Sequence, residues 1–272
     1  MLEARATYAA EAAAASSGAG KHWSNPLHLF APLSILFPTF AGTSARLRLN
    51  LLLLAAIECT LFGMGIGAMT VIIMYAERQF HWHNFESAMY LSVVNSARVT
   101  MLFVVLPLLI TWYRRDHGAA QHRGSDALDI FLIRFAIVVE ALGYLSYAVA
   151  PSGTVFTAAG VLVSLGGVGS PTIQSSLTKH IPNDRTGQLL GALALLHSLA
   201  RVVTPTVFNL VYAKTVGTVP QTVFICLAAT FTGAAACSLF VRTGVYWEEE
   251  TAAAGQQQTE EDGAEEERVV AR

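Results

Sequence analysis

Residues 49–75 read LNLLLLAAIECTLFGMGIGAMTVIIMY, and Glu58 is the one charged side chain in this stretch. A helix of about 20 predominantly apolar residues is long enough to cross the ~30 Å hydrocarbon core of a bilayer. Because the membrane interior offers no water to backbone N–H and C=O groups, a segment that crosses it must be helical. The stretch therefore predicts a transmembrane helix.

Five further apolar runs of similar length follow the first one. Together they predict six spans, at residues 49–75, 88–111, 129–149, 154–176, 187–213 and 221–243. The composition agrees, because 53% of the 272 residues are hydrophobic and 13% are charged, whereas an average soluble domain carries roughly 25% charged residues. We predict an all-α membrane protein with a six-helix transmembrane domain over residues 49–243.

The flanks of this domain differ from it in composition. Residues 1–21 are rich in Ala, Ser and Gly and are predicted to be disordered. Residues 22–48 are apolar but broken by prolines, which predicts a segment at the membrane surface on the cytosolic side. Residues 244–272 form an acidic tail, also predicted to be disordered and cytosolic. The basic side chains of the body lie between apolar runs, which favours a lipid bilayer over nucleic acid as the partner.

The distribution of lysine and arginine predicts that both termini are cytosolic. With the amino terminus inside, the outer loops hold only Arg78 and Lys214. The basic residues at the inner ends of the spans are Lys21, Arg46, Arg48, Arg114, Arg115, Arg123, Lys179, Arg185 and Arg242. An even number of spans then returns the carboxyl terminus to the cytosol.

The loop between the fourth and fifth predicted spans carries a distinct motif. Its positions are Pro182, Asp184, Arg185, Gly187 and Gly191. The proline ends the fourth helix, and Asn183 or Asp184 can cap the fifth. The two glycines begin a face of small residues that another helix can approach closely.

This loop resembles the one between the tenth and eleventh helices of major facilitator superfamily transporters, and residues 23–38 resemble the end of that family's central cytosolic loop. The resemblance covers about residues 22–243 and is strongest to fungal members. It implies the carboxyl-terminal half of a twelve-helix carrier, built as two inverted three-helix repeats. Residues 106–116, LPLLITWYRRD, depart from the family's signature between the eighth and ninth helices and share only the arginine pair and Asp116 with it.

Polar and charged side chains inside the predicted spans are the most informative about function. A charge near the bilayer centre costs about 2.5–3.5 kcal/mol on insertion scales, so such residues usually face a bundle interior or an aqueous cavity. The candidates for a proton or substrate pathway are Glu58, Asn95, Arg98, His197 and Arg201. The last two are four residues apart and share a helix face. The resemblance implies that the first, second, fourth and fifth helices line the pathway, which would gather the charged candidates in one chamber.

Two roles for Glu58 remain open at this point. Burial in a membrane favours the neutral form of a carboxyl group, whereas a neighbouring arginine favours the ionised form. Glu58 paired with Arg98 or Arg201 would therefore be able to couple proton movement to transport. The same pair would equally serve as a static salt bridge that fixes helix packing. Glu140 is interpreted as structural, because the resemblance implies that the third helix lies outside the pathway.

The sequence predicts a secondary carrier for a small solute, coupled to protons as a symporter or antiporter, and not an enzyme. Such a carrier would act by self-association or with a complementary six-helix half. The alternative is a membrane scaffold without transport, or an inactive fragment of a longer carrier gene. No metal ion or cofactor is predicted, since His81 and His83 lack further ligands and residues 166–169 lack the Lys-Ser/Thr of a phosphate loop.

Overall fold

A computed structural model describes residues 33–36, 45–117, 125–182 and 185–243 of the chain. The predicted disordered segments 1–21 and 244–272, most of the predicted surface segment 22–48, and Asp184 of the loop motif lie outside the described residues. Residues 33–36 form a single helical turn. All regular elements within the described residues are helical, in agreement with the predicted all-α class.

The helices line up as six rods, two of which contain an irregular turn. The elements are α1 (Ala45–Phe80), α2 (Asn84–Thr100), a π-helical turn (Met101–Val105), α3 (Leu106–His117), α4 (Ala127–Val149), α5 (Gly153–Leu165), a 3-10 turn (Gly166–Val168), α6 (Gly169–Lys179), α7 (Thr186–Thr215) and α8 (Thr222–Ser238). The second rod runs from α2 through the π-helical turn into α3. The fourth runs from α5 through the 3-10 turn into α6.

Local sequence sets where several of these helices begin. The backbone N–H of His83 donates to Glu86 at 2.9 Å in front of α2, and that of Asp126 donates to Asp129 at 3.1 Å in front of α4. In both contacts a carboxylate from the first turn of the helix accepts a hydrogen bond from a backbone N–H that has no partner within the helix. The second rod consequently begins four residues before the predicted span at residue 88.

Four stretches are long and apolar enough to cross a membrane: Ala45–Phe80, Asn84–Tyr113, Gly153–Lys179 and Thr186–Thr215. The helix Thr222–Ser238 is apolar but has 17 residues, fewer than the about 20 that a perpendicular span needs. The remaining helix, α4, has 23 residues and carries three charged side chains, Asp129, Arg134 and Glu140. The chain is thus an all-helical membrane protein, while six spans and the inverted-repeat layout remain predictions.

Contacts centred on α4 and α1 hold the rods together. The helix α4 packs against α5, α6 and α8, and α1 packs against α6, α7 and α8. The helix α2 packs mainly against α5. At the end of the bundle where α1 finishes, a cluster of seven aromatic side chains joins five helices and their loops. These are Tyr75, Phe80, Trp82, Tyr90, Tyr147, Phe156 and Phe224. Such edge-on and offset contacts between aromatic rings stabilise that end of the bundle.

A close approach between α1 and α7 is made by glycines that the sequence interpretation did not single out. A Cβ atom on Gly63 would lie 2.9 Å from Thr204 Cγ2, and one on Gly67 would lie 3.0 Å from a ring carbon of Phe208. The spacing of four between these glycines lets the backbones of α1 and α7 come together. Gly187, for which a close neighbour was predicted, faces open space. The close contact with α1 lies further along α7, at Ala200 and Thr204, and the close approach predicted at Gly187 stays a prediction.

Polar contacts tie the helix ends together where α6 finishes. The Asn50 side chain donates to the backbone oxygen of Arg242 at 2.8 Å and accepts from its N–H at 3.1 Å. Lys179 pairs with Asp129 at 2.6 Å, and Arg134 donates to the backbone oxygen of Ser238 at 3.2 Å. The arginine thus adds a second donor to a carbonyl at the end of α8, which also accepts from the Val241 N–H at 3.2 Å.

The second and fifth rods leave most of their apolar surface uncovered. In an apolar 18-residue stretch of each rod, 6% of the residues are buried in Asn84–Tyr113 and 17% in Thr186–Thr215. The corresponding share in Ala45–Phe80 is 50%. These two rods therefore have broad faces available to lipid or to another protein.

Candidate functional site

Glu58 is a fully buried carboxylate in α1 that is surrounded by neutral hydrogen-bond donors. Its Oε1 accepts from Ser170 Oγ at 2.6 Å and from Gln174 Nε2 at 2.8 Å, both on α6. His197 Nε2 of α7 lies 3.2 Å from the same oxygen, without the geometry of a hydrogen bond. The second oxygen, Oε2, has no hydrogen-bond partner among the described residues. Three helices thus meet at one carboxylate that keeps an acceptor unused.

The side chain of Phe62 links His197 to Arg201. Its ring stacks on the imidazole with centroids 3.9 Å apart and planes 15° apart. The guanidinium carbon of Arg201 lies 5.6 Å from the centroid of the same ring, a cation–π distance. Arg201 therefore contacts the aromatic neighbour of the carboxylate cluster and not Glu58 itself. The hypothesis of an arginine as the direct partner of Glu58 does not describe this conformation.

Arg98 of α2 contacts the 3-10 turn between α5 and α6. Its side chain packs on Gly167 in the 3-10 turn, where an added Cβ would lie 3.0 Å from Arg98 Nε and 3.1 Å from Cγ. The residue precedes the π-helical turn of the second rod, which begins at Met101, by three positions. Such turns leave backbone groups less regularly paired and frequently occur at functional sites. A glycine at position 167 is what admits the arginine to this place.

Asn95 is exposed on the face of α2 and does not reach the other candidates. Its amide donates to the Leu91 backbone oxygen of its own helix at 2.8 Å. Together with Ser92, Ser96 and Thr100, it borders an open surface groove of about 570 Å³. The structure therefore brings Glu58 and His197 together, while Phe62 lies between His197 and Arg201. Arg98 lies at the 3-10 turn, and Asn95 does not contact the other candidates.

A cavity of about 540 Å³ lies beside the Glu58 cluster. Its lining combines a hydrophobic wall with several polar side chains: Leu61, Phe62, Ile66, Met69, Thr70, Arg98, Glu140, Tyr144 and Ser170, together with Gly65, Gly166 and Gly167. Ser170 belongs to both places, because it lines the cavity and donates to Glu58. A volume of this size and a mostly apolar wall with a few polar groups are typical of small-molecule sites.

Glu140 lines this cavity together with Tyr144, although the sequence interpretation gave it a structural role. A Cβ atom on Gly166 would collide with Glu140 Cγ, so this glycine makes room for the side chain. Ser170 and Gln174 were also missed by the sequence interpretation. Their spacing of four places both on one face of the fourth predicted span, and this polar stripe is the signal that would have identified them.

The loop motif between the fourth and fifth rods is only partly described. Helix α6 ends at Lys179, and Pro182 follows two residues after the C-cap His180, a common position for proline. The Pro182 backbone oxygen accepts from the N–H of Arg185 at 3.1 Å, which closes a turn into α7. Gly191 is half-buried in α7. The predicted capping residues, Asn183 and Asp184, lie outside the described residues.

Comparisons with known proteins identify relatives in fungi and bacteria. The chain is 32% identical over 186 residues to the MFS-type transporter avaJ of Aspergillus versicolor, an alignment that covers 66% of this chain and 36% of that transporter. It is 27% identical over 222 residues to an uncharacterised membrane protein of Saccharomyces cerevisiae, covering 79% of this chain and 39% of the relative. It is also 26% identical over 196 residues to the class C tetracycline resistance protein of Escherichia coli, covering 71% of this chain and 44% of that protein.

The chain spans less than half the length of each of these curated relatives. No family model matches it. The relatives whose names state a function are transporters or resistance proteins of the major facilitator type, and the long apolar helices of this chain agree with an integral membrane protein. The chain therefore belongs with the major facilitator superfamily transporters, as a partial protein of that type.

Proposed function

We propose that this chain is the solute-binding, proton-coupled part of a secondary carrier, with Glu58 as the group that takes up and releases the proton. The observation that supports the proposal is a fully buried carboxylate that shares Ser170 with a solute-sized cavity. The relatives named as transporters favour a carrier over an enzyme or a scaffold.

The surroundings of Glu58 suit a change of charge. An isolated buried charge is strongly destabilising, so the site must supply compensation when the carboxyl is ionised. Ser170 and Gln174 supply neutral donors, and His197 is able to carry a compensating positive charge. Binding of a solute at Ser170 would alter this balance and thereby favour one protonation state of the carboxyl group.

Other titratable and charged groups also act on Glu58 and enter any pH dependence. His197 faces it from α7, while Cys59 neighbours it on α1. Glu140 on α4 interacts with it electrostatically, and Arg98 on α2 interacts in turn with Glu140. A change at any of these positions would shift the pH profile, so the test has to isolate the Glu58 carboxyl.

The test is uptake by proteoliposomes that contain the full chain, with a panel of labelled metabolites and with or without an imposed pH gradient. We expect Glu58→Gln to abolish the effect of the gradient, because the amide cannot exchange a proton. Glu77→Gln is the matched control, since it makes the same change on an exposed residue of the same helix. Full pH dependence in Glu58→Gln would leave this residue with a packing role. Absence of uptake for every solute would favour the alternative of a scaffold or an inactive fragment.

We also propose that a second six-helix unit covers α2 and α7. The exposed groove on α2 is bordered by Ser92, Asn95, Ser96 and Thr100, and a polar stripe is poorly suited to lipid. A second copy of the chain or a complementary half would supply a less apolar environment. Halves of this fold are related by an axis along the membrane normal, which lets two units with the same orientation face each other.

Cysteine crosslinking in native membranes tests the covering unit. In a Cys237→Ser background, Ser96→Cys is expected to give an adduct of twice the chain's mass if the partner is a second copy. Leu145→Cys on α4 is the control, because it is exposed on a different helix. A monomer at both positions would refute self-association and leave a complementary half as the remaining candidate.

A further inference from the structure

One basic and one acidic side chain line the cavity without a direct contact between them. Arg98 enters from α2 and Glu140 from α4. Within the described part of the chain, neither side chain has a hydrogen bond or an ion-pair partner within 4.0 Å. They interact electrostatically at longer range. The cavity therefore offers one guanidinium and one carboxyl group, neither of which has a direct partner in this part of the chain.

The 3-10 turn of the fourth rod holds these two charges apart. Glu140 packs its stem on Gly166, and Arg98 packs its stem on the next residue, Gly167. Each glycine makes room for one of the two stems, because a Cβ at either position would press on the neighbouring side chain. The turn thus gives each charge its own place on the wall, with cavity volume left for a ligand.

The remaining lining indicates what kind of molecule would fit. Phe62, Leu61, Ile66 and Met69 provide an apolar surface, while Thr70 and Tyr144 add hydroxyl groups. A ligand with an apolar body would gain from the hydrophobic wall. A ligand that bears both an anionic and a cationic group would satisfy both charges, each by a charge-assisted hydrogen bond. A ligand with a single charge would leave the opposite charge in the cavity unsatisfied.

We propose that this cavity binds a zwitterionic solute with an apolar body, the anionic group at Arg98 and the cationic group at Glu140. The inference rests on the proposed carrier function for why a solute enters the cavity, whereas binding itself can be measured without transport. Glu140 thereby becomes a specificity-determining residue of the site.

The test uses matched probes on the purified full chain in detergent, with binding measured by calorimetry. The probes are phenylalanine, leucine and tryptophan, each compared with the amine that lacks the carboxylate and with the acid that lacks the amino group. We expect at least one of these zwitterions to bind at least tenfold more tightly than both of its analogues. Failure of all three zwitterions to bind, or equal binding of the amine or the acid, would overturn the proposal.

Two single variants and their combination separate recognition from a merely structural role. Arg98→Gln is expected to remove the preference over the amine, and Glu140→Gln the preference over the acid. The exchanged pair Arg98→Glu with Glu140→Arg is expected to restore tighter binding of the zwitterion. Arg78→Gln and Glu77→Gln, both exposed on α1, are the controls. Equal loss for all probes in both single variants would indicate a packing role and refute the assignment.

The carrier proposal and the ligand class fail in different ways. Tight zwitterion binding in detergent without uptake by proteoliposomes would refute the carrier and keep the ligand class. Uptake of a solute without any preference for zwitterions would refute the ligand class and keep the carrier.

Discussion

The contact between Gln174 and Glu58 gives the sharpest energetic test of the buried cluster. Gln174→Leu removes a 2.8 Å donor from a carboxylate that has no exposed surface. A hydrogen bond to a charged group contributes about 1.5–3 kcal/mol, and a neutral one about 1 kcal/mol. We therefore expect this substitution to lower the free energy of unfolding by about 2–3 kcal/mol if the carboxyl is ionised.

A double-mutant cycle isolates this contact from the other effects of the substitutions. Glu58→Met and Gln174→Leu are measured singly and together by reversible unfolding of the purified chain in mixed micelles with a denaturing detergent. The coupling free energy is expected to be about 1.5–3 kcal/mol for an ionised carboxyl and about 1 kcal/mol for a protonated one. The cycle thus reports the charge state of Glu58 as well as the contact.

The control pair is Glu77→Gln with Gln79→Leu, two exposed positions on the same helix. Residues two apart on a helix do not face each other, so these changes are expected to add within about 0.5 kcal/mol. A coupling of that size between Glu58 and Gln174 would refute the contact, and the proposed link between the carboxyl and the cavity would lose its support.

Two further predictions concern the packing and the ends of the bundle. Gly63→Val is expected to destabilise the fold by about 1–3 kcal/mol, because its first side-chain atom would lie 2.9 Å from Thr204 Cγ2; unfolding in micelles measures this, and Gly233→Val, which faces open space, is expected to change little. Burial lowers the pKa of the His180 imidazole, which caps α6 outside the membrane spans. The unfolded chain then binds the proton more readily than the folded chain. The contribution of His180 to the free energy of unfolding is therefore expected to be fully present above pH ~6.5 and to decrease as the pH falls below that value. His180→Phe should remove this part of the pH dependence, and an unchanged profile would contradict the assignment.

The helical rods follow from the sequence because their cause is local. A run of apolar residues long enough to span the hydrocarbon core has no alternative to the helix, since each backbone group must be paired within the segment. Each of the six predicted spans accordingly falls on one of the rods. The ends differ by several residues, because they depend on single contacts such as the one between His83 and Glu86.

The candidate site was less predictable from the sequence than the rods. The charges at positions 58, 98, 197 and 201 are conspicuous in apolar runs, so their burial or pairing was expected. Glu58 is bonded by Ser170 and Gln174, and His197 and Arg201 both contact Phe62, all ordinary residues in such runs. Arg98 packs on Gly167 instead. No local signal marks which of many polar or aromatic side chains faces a given charge, because that depends on how each helix is rotated about its axis.

The sequence by itself determined that this chain is a helical membrane protein with charged residues inside its apolar helices. Composition and apolar length decide the first of these properties, and the identity of individual residues decides the second. Only the tertiary structure decided that Glu58 meets His197, and that Arg98 and Glu140 line one cavity on either side of two glycines. The physical reason is that close approach of α1 and α7 and the 3-10 turn between α5 and α6 set the distances between helices. Those distances arise from packing across the whole bundle and cannot be predicted from any single stretch of sequence.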